Sequence, residues 1–240
     1  MTSAQTLTGM ILDAVADPAR PLLTYYNEST GERTELSAAT LGNWAAKIGN
    51  YLRDETMAAP GDPVQVDLPE HWQSAAVLLG AWWAGLQVRL DDEPAPDVAA
   101  PVFTAADRID RYPDADPLIV VPLDPFAMGA PQLPVGVDDF GTAIRAHGDR
   151  FVPAGSGAAA LGARPLSEVA DAARAVAGAD AITAGARVLS TREWRTADGI
   201  VTALLAPLLT GASLVWVGGT DDDERLAAIA GTENADLILR

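Results

Sequence analysis

The chain contains no cysteine. That absence excludes disulfides, thiolate zinc sites and cysteine nucleophiles together. Basic residues are also scarce, with 16 Lys and Arg against 33 Asp and Glu and a net charge of −17. So acidic a surface repels nucleic acid, whose binding rests on cations that neutralise phosphates. It repels anionic membranes for the same reason. Neither is expected as a partner, and solubility is the expected consequence of the charge. The two histidines, His71 and His147, have no partner at metal-ligand spacing, so no metal is expected. Long apolar runs are missing too. The longest candidate, Ala75 to Leu86, falls short of the ~18 residues a membrane-spanning helix needs. Met1 to Arg20 has no basic start, and Asp13 interrupts its apolar positions, so it reads as an amphipathic helix rather than a signal peptide. These features predict a cytoplasmic protein.

What is present suits a folded core: 49% of the 240 residues are hydrophobic. Pro21 to Tyr26 predicts a strand, Asn27 to Glu32 a polar turn, and Arg33 to Leu36 a returning strand. Ser37 can cap a helix whose apolar stripe is Leu41, Trp44, Ala45, Ile48 and Leu52. Val64, Val66 and Leu68 alternate with Gln65 and Asp67, which predicts a strand with one apolar face. The next helix, Trp72 to Leu86, is apolar almost all round and should be buried. Short strands are predicted at Gln87 to Leu90, Val102 to Thr104 and Leu118 to Leu123. Pro122 to Pro134 reads as irregular, Asp138 to His147 as a short helix, and Gly148 to Arg164 as a surface stretch. Further on come a helix capped by Ser167, a strand at Arg187 to Ser190, and an apolar helix from Ala197 to Leu209 with a kink or early end at Pro207. A strand at Leu214 to Val217, a helix from Asp221 to Gly231 with an acidic first turn, and a strand at Leu237 to Leu239 complete the pattern.

Strands and helices alternate throughout, which argues for an α/β fold of mostly parallel sheets covered by helices. One βαβ pattern occurs twice. Gly61-Asp62-Pro63-Val64, an apolar helix and Gly85 are echoed by Gly185-Ala186-Arg187-Val188, an apolar helix and Gly211. Two related lobes follow from that echo.

Several segments resemble adenylate-forming (AMP-binding, acyl-CoA synthetase-like) enzymes. Leu23-Thr24-Tyr25-Tyr26, Glu35-Leu36-Ser37 and the helix to Leu52 resemble the opening of that superfamily. Gly61-Asp62-Pro63-Val64 through Leu68-Pro69 is similar to its Gly-Asp-x-Val strand ending in Leu-Pro. Leu204-Leu205-Ala206-Pro207-Leu208-Leu209-Thr210-Gly211-Ala212-Ser213 is similar to the unit after its phosphate loop. The resemblance implies one truncated N-terminal region over residues 1–240, with one lobe at about 60–160 and another formed by about 15–55 and 165–240.

The departures bear on chemistry. The family's Ser-Gly-Thr-Thr-Gly-x-Pro-Lys-Gly loop cradles ATP phosphates with backbone N–H groups, hydroxyls and a Lys. The matching region here is Ala154 to Arg164, in which Ser156 is the only hydroxyl, Lys is absent and Arg164 is the nearby cation. Gly155, Ser156, Gly157 and Arg164 are therefore the candidate nucleotide-binding residues, with a flexible loop as the competing reading. Trp194 and Thr196 occupy the place where the family lines its acyl pocket. The family's Mg²⁺ Glu, ribose Asp and lid Lys have no counterpart that can be carried over, so no catalytic residue is assigned. The resemblance implies a non-catalytic relative acting by binding, with a ligase having an atypical site as the alternative. No cofactor is expected, with ATP or AMP the ligands to test. Gly218-Gly219-Thr220, Asp67-x-x-Glu70-His71 and Asp91-Asp92-Glu93 are weaker candidates that also read as a capped helix, a helix start and solvated loop charge. Trp44, Trp72, Trp82 and Trp83 read as core or as pocket lining. A homodimer or another protein partner is expected to cover apolar surface.

Overall fold

The computed structural model describes residues 5–90, 100–130 and 132–240. Asp91-Asp92-Glu93 and most of the Pro94 to Pro101 stretch lie outside them. The chain divides into two units: residues 1–8 with 42–166, and residues 9–41 with 167–240. No described helix is long and apolar enough to cross a membrane.

The first unit is built on five parallel strands: β3 (Pro63–Asp67), β4 (Gln87–Leu90), β5 (Val102–Ala105), β6 (Leu118–Val121) and β7 (Val137–Asp139), in the order β4-β3-β5-β6-β7. Parallel sheets are covered on both faces, and β3 shows the consequence. Its polar positions Gln65 and Asp67 are as buried as Val64 and Val66, which corrects the expectation of one apolar face. The helix α3 (Trp72–Trp83) is buried from Trp72 through Trp82. Burying a Leu or Val side chain contributes about 1.5–3 kcal/mol, and α3 does this on every side.

The helix α2 (Ala38–Asp54) begins where Ser37 Oγ accepts from Thr40 N–H at 3.1 Å. A Cβ on Gly80 of α3 would come within 2.5 Å of Ile48, so α2 and α3 pack backbone to side chain. Contacts of this kind place the chain from Gly42 onward in the first unit. The sequence grouping of 15–55 with 165–240 differs from that division.

The strand β7 is the element that patterning missed. It occupies the start of the segment read as a helix; the helical part is only α4 (Phe140–Ala143) and a 3-10 turn over Ile144–Ala146. Three residues are too few for a period to register, and Asp138 and Asp139 look like cap residues.

The second unit holds β1 (Pro21–Asn27), β2 (Glu32–Ser37), β8 (Arg187–Ser190), β9 (Ser213–Gly218) and β10 (Leu237–Leu239), in the order β10-β8-β9-β1-β2. Only β2 is antiparallel, returning from β1 through the expected turn. One face is packed by α8 (Asp223–Glu233) through Leu226, Ile229 and Ala230 on Tyr26, Leu189, Val215 and Val217. Another cluster joins Ala177 of α5 (Leu166–Ala179) to Val188, Ala206, Ala212 and Leu239.

Between β8 and β9 the helix runs on through Pro207 as α6 (Ala197–Gly199), a π-helical stretch over Ile200–Leu205 and α7 (Ala206–Leu209). Proline lacks an N–H and crowds the carbonyl four residues earlier. Here the chain widens instead of breaking, and Ala206 N–H reaches back to Val201 O.

The βαβ echo is real within each unit. β3-α3-β4 and β8-α6/α7-β9 both end their helix at a glycine of positive φ, Gly85 at +80° and Gly211 at +78°.

Candidate functional site

The Gly155 to Arg164 stretch is tied to its own unit by its backbone. Gly157 N–H donates to Gly85 O at 3.0 Å, and Gly162 N–H to Val88 O at 2.8 Å. Ala160 N–H donates to Arg164 O at 2.8 Å, Leu161 N–H to Arg164 O at 3.3 Å, and Arg164 N–H to Leu161 O at 3.0 Å. Two carbonyls are held as well: Ala160 O accepts from Trp82 Nε1 at 2.9 Å and Gly162 O from Gln87 Nε2 at 2.7 Å. Ala160, Leu161 and Gly162 are buried, while the rest of Gly148 to Arg164 is exposed or half-buried, as the surface reading expects.

The glycines have a packing reason. A Cβ on Gly157 would strike the Gly61 backbone, including its nitrogen at 2.8 Å, and one on Gly85 would strike Gly155 O. Ser156 borders a hollow with Leu7, Trp82 and Gly85 whose free volume is about 10 Å³. That is room for about one water. A phosphate cradle needs N–H groups aimed outward and a nearby cation; here five N–H groups of the stretch point at protein carbonyls. The only lysine of the chain, Lys47, donates to His147 O at 2.6 Å and pairs with Asp149 at 2.8 Å. Of the four candidate residues, Gly157 and Arg164 thus have their N–H groups taken by protein carbonyls.

In the second unit, β8 leads to its neighbour β9, and β9 leads back past β8 to β10. The direction reverses between β8 and β10, and crevices at such points bind ligands in open α/β sheets. Trp194 follows β8 and is 4% exposed. It meets Trp216 edge-on at 6.3 Å, and Trp216 stacks on Tyr25 at 5.5 Å. Trp216 Nε1 donates to Arg192 O at 2.9 Å. Thr196 caps α6, its Oγ1 accepting from Gly199 N–H at 3.1 Å. After β9, Asp222 Oδ1 accepts from Glu224 and Arg225 N–H at 2.9 and 3.1 Å, so Gly218-Gly219-Thr220 leads into a helix end capped by its own side chain.

Two buried ionic networks escaped sequence reasoning, because their members are far apart in the chain. Glu233 at the end of α8 accepts from Tyr26 Oη at 2.5 Å and Arg33 Nε at 2.9 Å, and pairs with Arg187. Burial opposes its ionisation, but the donors from Arg33, Tyr26 and Arg187 prevail and hold its carboxyl at about 2. Burial and Glu233 push the Tyr26 phenol up. In the first unit, the reversal lies between β3 and β5. Asp67 at the end of β3 pairs there with Arg108 and, at 2.7 Å, with Arg111, and accepts from Tyr112 Oη at 3.0 Å.

His71 caps α3, its Nδ1 accepting from Gln73 N–H at 3.2 Å, and burial pushes its imidazole down to about 3. Trp44, half-buried, lies against the core residues Trp72 at 5.5 Å and Phe140 at 5.8 Å. Among the described residues, no group of acidic or histidine side chains could hold a metal ion.

No family model matches the chain. A TIGR03089 family protein of Mycobacterium tuberculosis is 48% identical over 251 residues, covering the whole of both chains. Solved structures that share the fold include three CoA ligases or synthetases. An acyl-CoA synthetase of Brucella canis superposes with a TM-score of 0.75 at 19% identity, over 99% of this chain and 47% of that one. An anthranilate CoA ligase in complex with anthranoyl-AMP gives 0.74 at 13% identity, over 99% and 50%. A benzoate CoA ligase from Burkholderia xenovorans gives 0.71 at 16% identity, over 98% and 50%. The chain spans about half the length of these enzymes and shares the fold of the part that it covers.

Proposed function

The chain belongs to the TIGR03089 family, and from that premise we propose that it is a non-catalytic relative of adenylate-forming enzymes that acts by binding another molecule. One observation carries this reading. The stretch matching the phosphate loop directs five of its N–H groups, those of Gly157, Ala160, Leu161, Gly162 and Arg164, at the Gly85, Val88, Leu161 and Arg164 carbonyls, with one hydroxyl and no lysine. Donors aimed at developing charge contribute several kcal/mol each to such a transition state. With those five donors turned inward, ATP gains no anchorage from them.

ATP–pyrophosphate exchange with a panel of fatty and aromatic acids tests the reading on the 240-residue chain. The expected result is no exchange above a blank without protein. Reproducible turnover would overturn it.

The second reading, a retained nucleotide or acyl site, has support from the Tyr25–Trp216–Trp194 aromatic series, which runs from β1 and β9 to the segment after β8. A thermal-shift screen with ATP, AMP, coenzyme A and acyl compounds separates the two. A ligand at 100 times its Kd stabilises by about 2.7 kcal/mol, and flat curves favour the protein-binding reading. The partner is a protein, either another chain or a second copy. Light scattering after size exclusion reports a second copy directly.

A further inference from the structure

The segment after β6, Leu123 to Ala130, combines a fixed backbone with exposed apolar side chains. Gln73, fully buried, donates from Nε2 to Asp124 O at 2.6 Å and accepts Leu123 N–H at 3.2 Å. The Asp124 carboxylate accepts Phe126 and Met128 N–H, both at 2.8 Å. Arg145 donates to Phe126 O, and Asp139 accepts Ala130 N–H at 3.0 Å. Ala127 is fully buried between them, so close that a Cβ on Gly141 would come within 2.7 Å of Ala127 O. Six side-chain bonds thus hold eight residues of loop.

On that platform Phe126 is 73% exposed and Met128 59% exposed. Folding gains nothing by holding two large apolar groups in water on an ordered support. Aromatic residues and Met are enriched where proteins bind, and a loop ordered beforehand avoids the entropy of ordering on contact. From Asp114 to Arg145 the chain carries five aspartates against one cation, Arg145 itself, which lies on Phe126 O, so the local balance is acidic.

We infer that Phe126 and Met128 form a preorganised docking knob for a different protein, one offering an apolar pocket rimmed by basic side chains. The charge argues for this occupant. A second copy would bring another −17 and a knob instead of a pocket, and an anionic bilayer meets the same repulsion. The inference deepens the binding function proposed above and rests on it. The pyrophosphate assay probes a different part of the chain, so either can fail alone.

The experiment places p-benzoylphenylalanine at position 126, with position 228 as an exposed control on α8. The protein is irradiated alone, with phosphatidylglycerol vesicles, and in a lysate of the source organism. The expected result is a crosslink from position 126, absent from 228, to one protein identified by mass spectrometry. The purified partner should bind the wild-type chain, with Kd weakened at least about tenfold by Phe126→Ala and weakened further by added salt. Circular dichroism should be unchanged by Phe126→Ala, since the side chain is exposed. A crosslink to a second copy or to lipid, no crosslink, or partner binding indifferent to Phe126→Ala or to salt would each overturn it.

Discussion

Replacing Glu233 by Gln keeps the side chain's size and removes the charge on which Arg33, Arg187 and Tyr26 converge. Glu233 is 7% exposed, so water does little to substitute for it. Its carboxyl lies at about 2 against an ordinary 4.5. At about 1.4 kcal/mol per pH unit, that difference corresponds to roughly 3 kcal/mol, within the 3–5 kcal/mol typical of breaking a buried pair. The folded-state value is depressed, so the contribution is complete above pH 4.5 and is lost as pH falls toward 2. Urea unfolding of wild type and Glu233→Gln at pH 7 should therefore differ by about 3 kcal/mol at equal m-value. The gap should close as pH is lowered through that window. A difference below about 1 kcal/mol at pH 7, or one that persists undiminished at pH 2, would refute the assignment.

Gly157→Ala should lower stability by about 1–3 kcal/mol, because its Cβ must displace the Gly61 backbone; an unchanged melting temperature would count against close packing of that stretch. His71→Asn should retain the α3 cap and flatten the pH dependence between 6.5 and about 3, since a folded-state value depressed by burial makes stability fall as pH drops through that range. Wild-type His71 should give neutral-imidazole NMR shifts at pH 5. Gln73→Ala should release the Leu123 to Ala130 segment, speeding hydrogen exchange at the Phe126 and Met128 amides while α8 amides are unaffected.

Local pattern carried most of the element assignment. The apolar stripe of α2, the all-apolar α3 and the alternation in β3 come from side-chain spacing that a chain cannot hide. Gly85 and Gly211 were legible as helix ends because positive φ favours glycine. Where elements were shorter than their own period, spacing carried no signal, as at Val137–Asp139. Pattern gave the helix from Ala197 to Leu209 but left a kink or an early end open at Pro207; burial of Ile200, Leu204, Leu205 and Leu208 outweighs the hydrogen bond that proline removes.

Composition alone determined that the chain is strongly acidic, free of cysteine chemistry and without a lysine in its glycine-rich stretch. Each of these is a property of residues taken singly. Tertiary structure decided which groups meet. Glu233 finds Arg33 two hundred positions away, and Asp67 finds Arg108 and Arg111 across the loop after β5. The N–H groups of Gly157 and Gly162 point at the Gly85 and Val88 carbonyls. A backbone amide is the same chemical group whether it faces a phosphate or a carbonyl, so its direction is set by the fold around it.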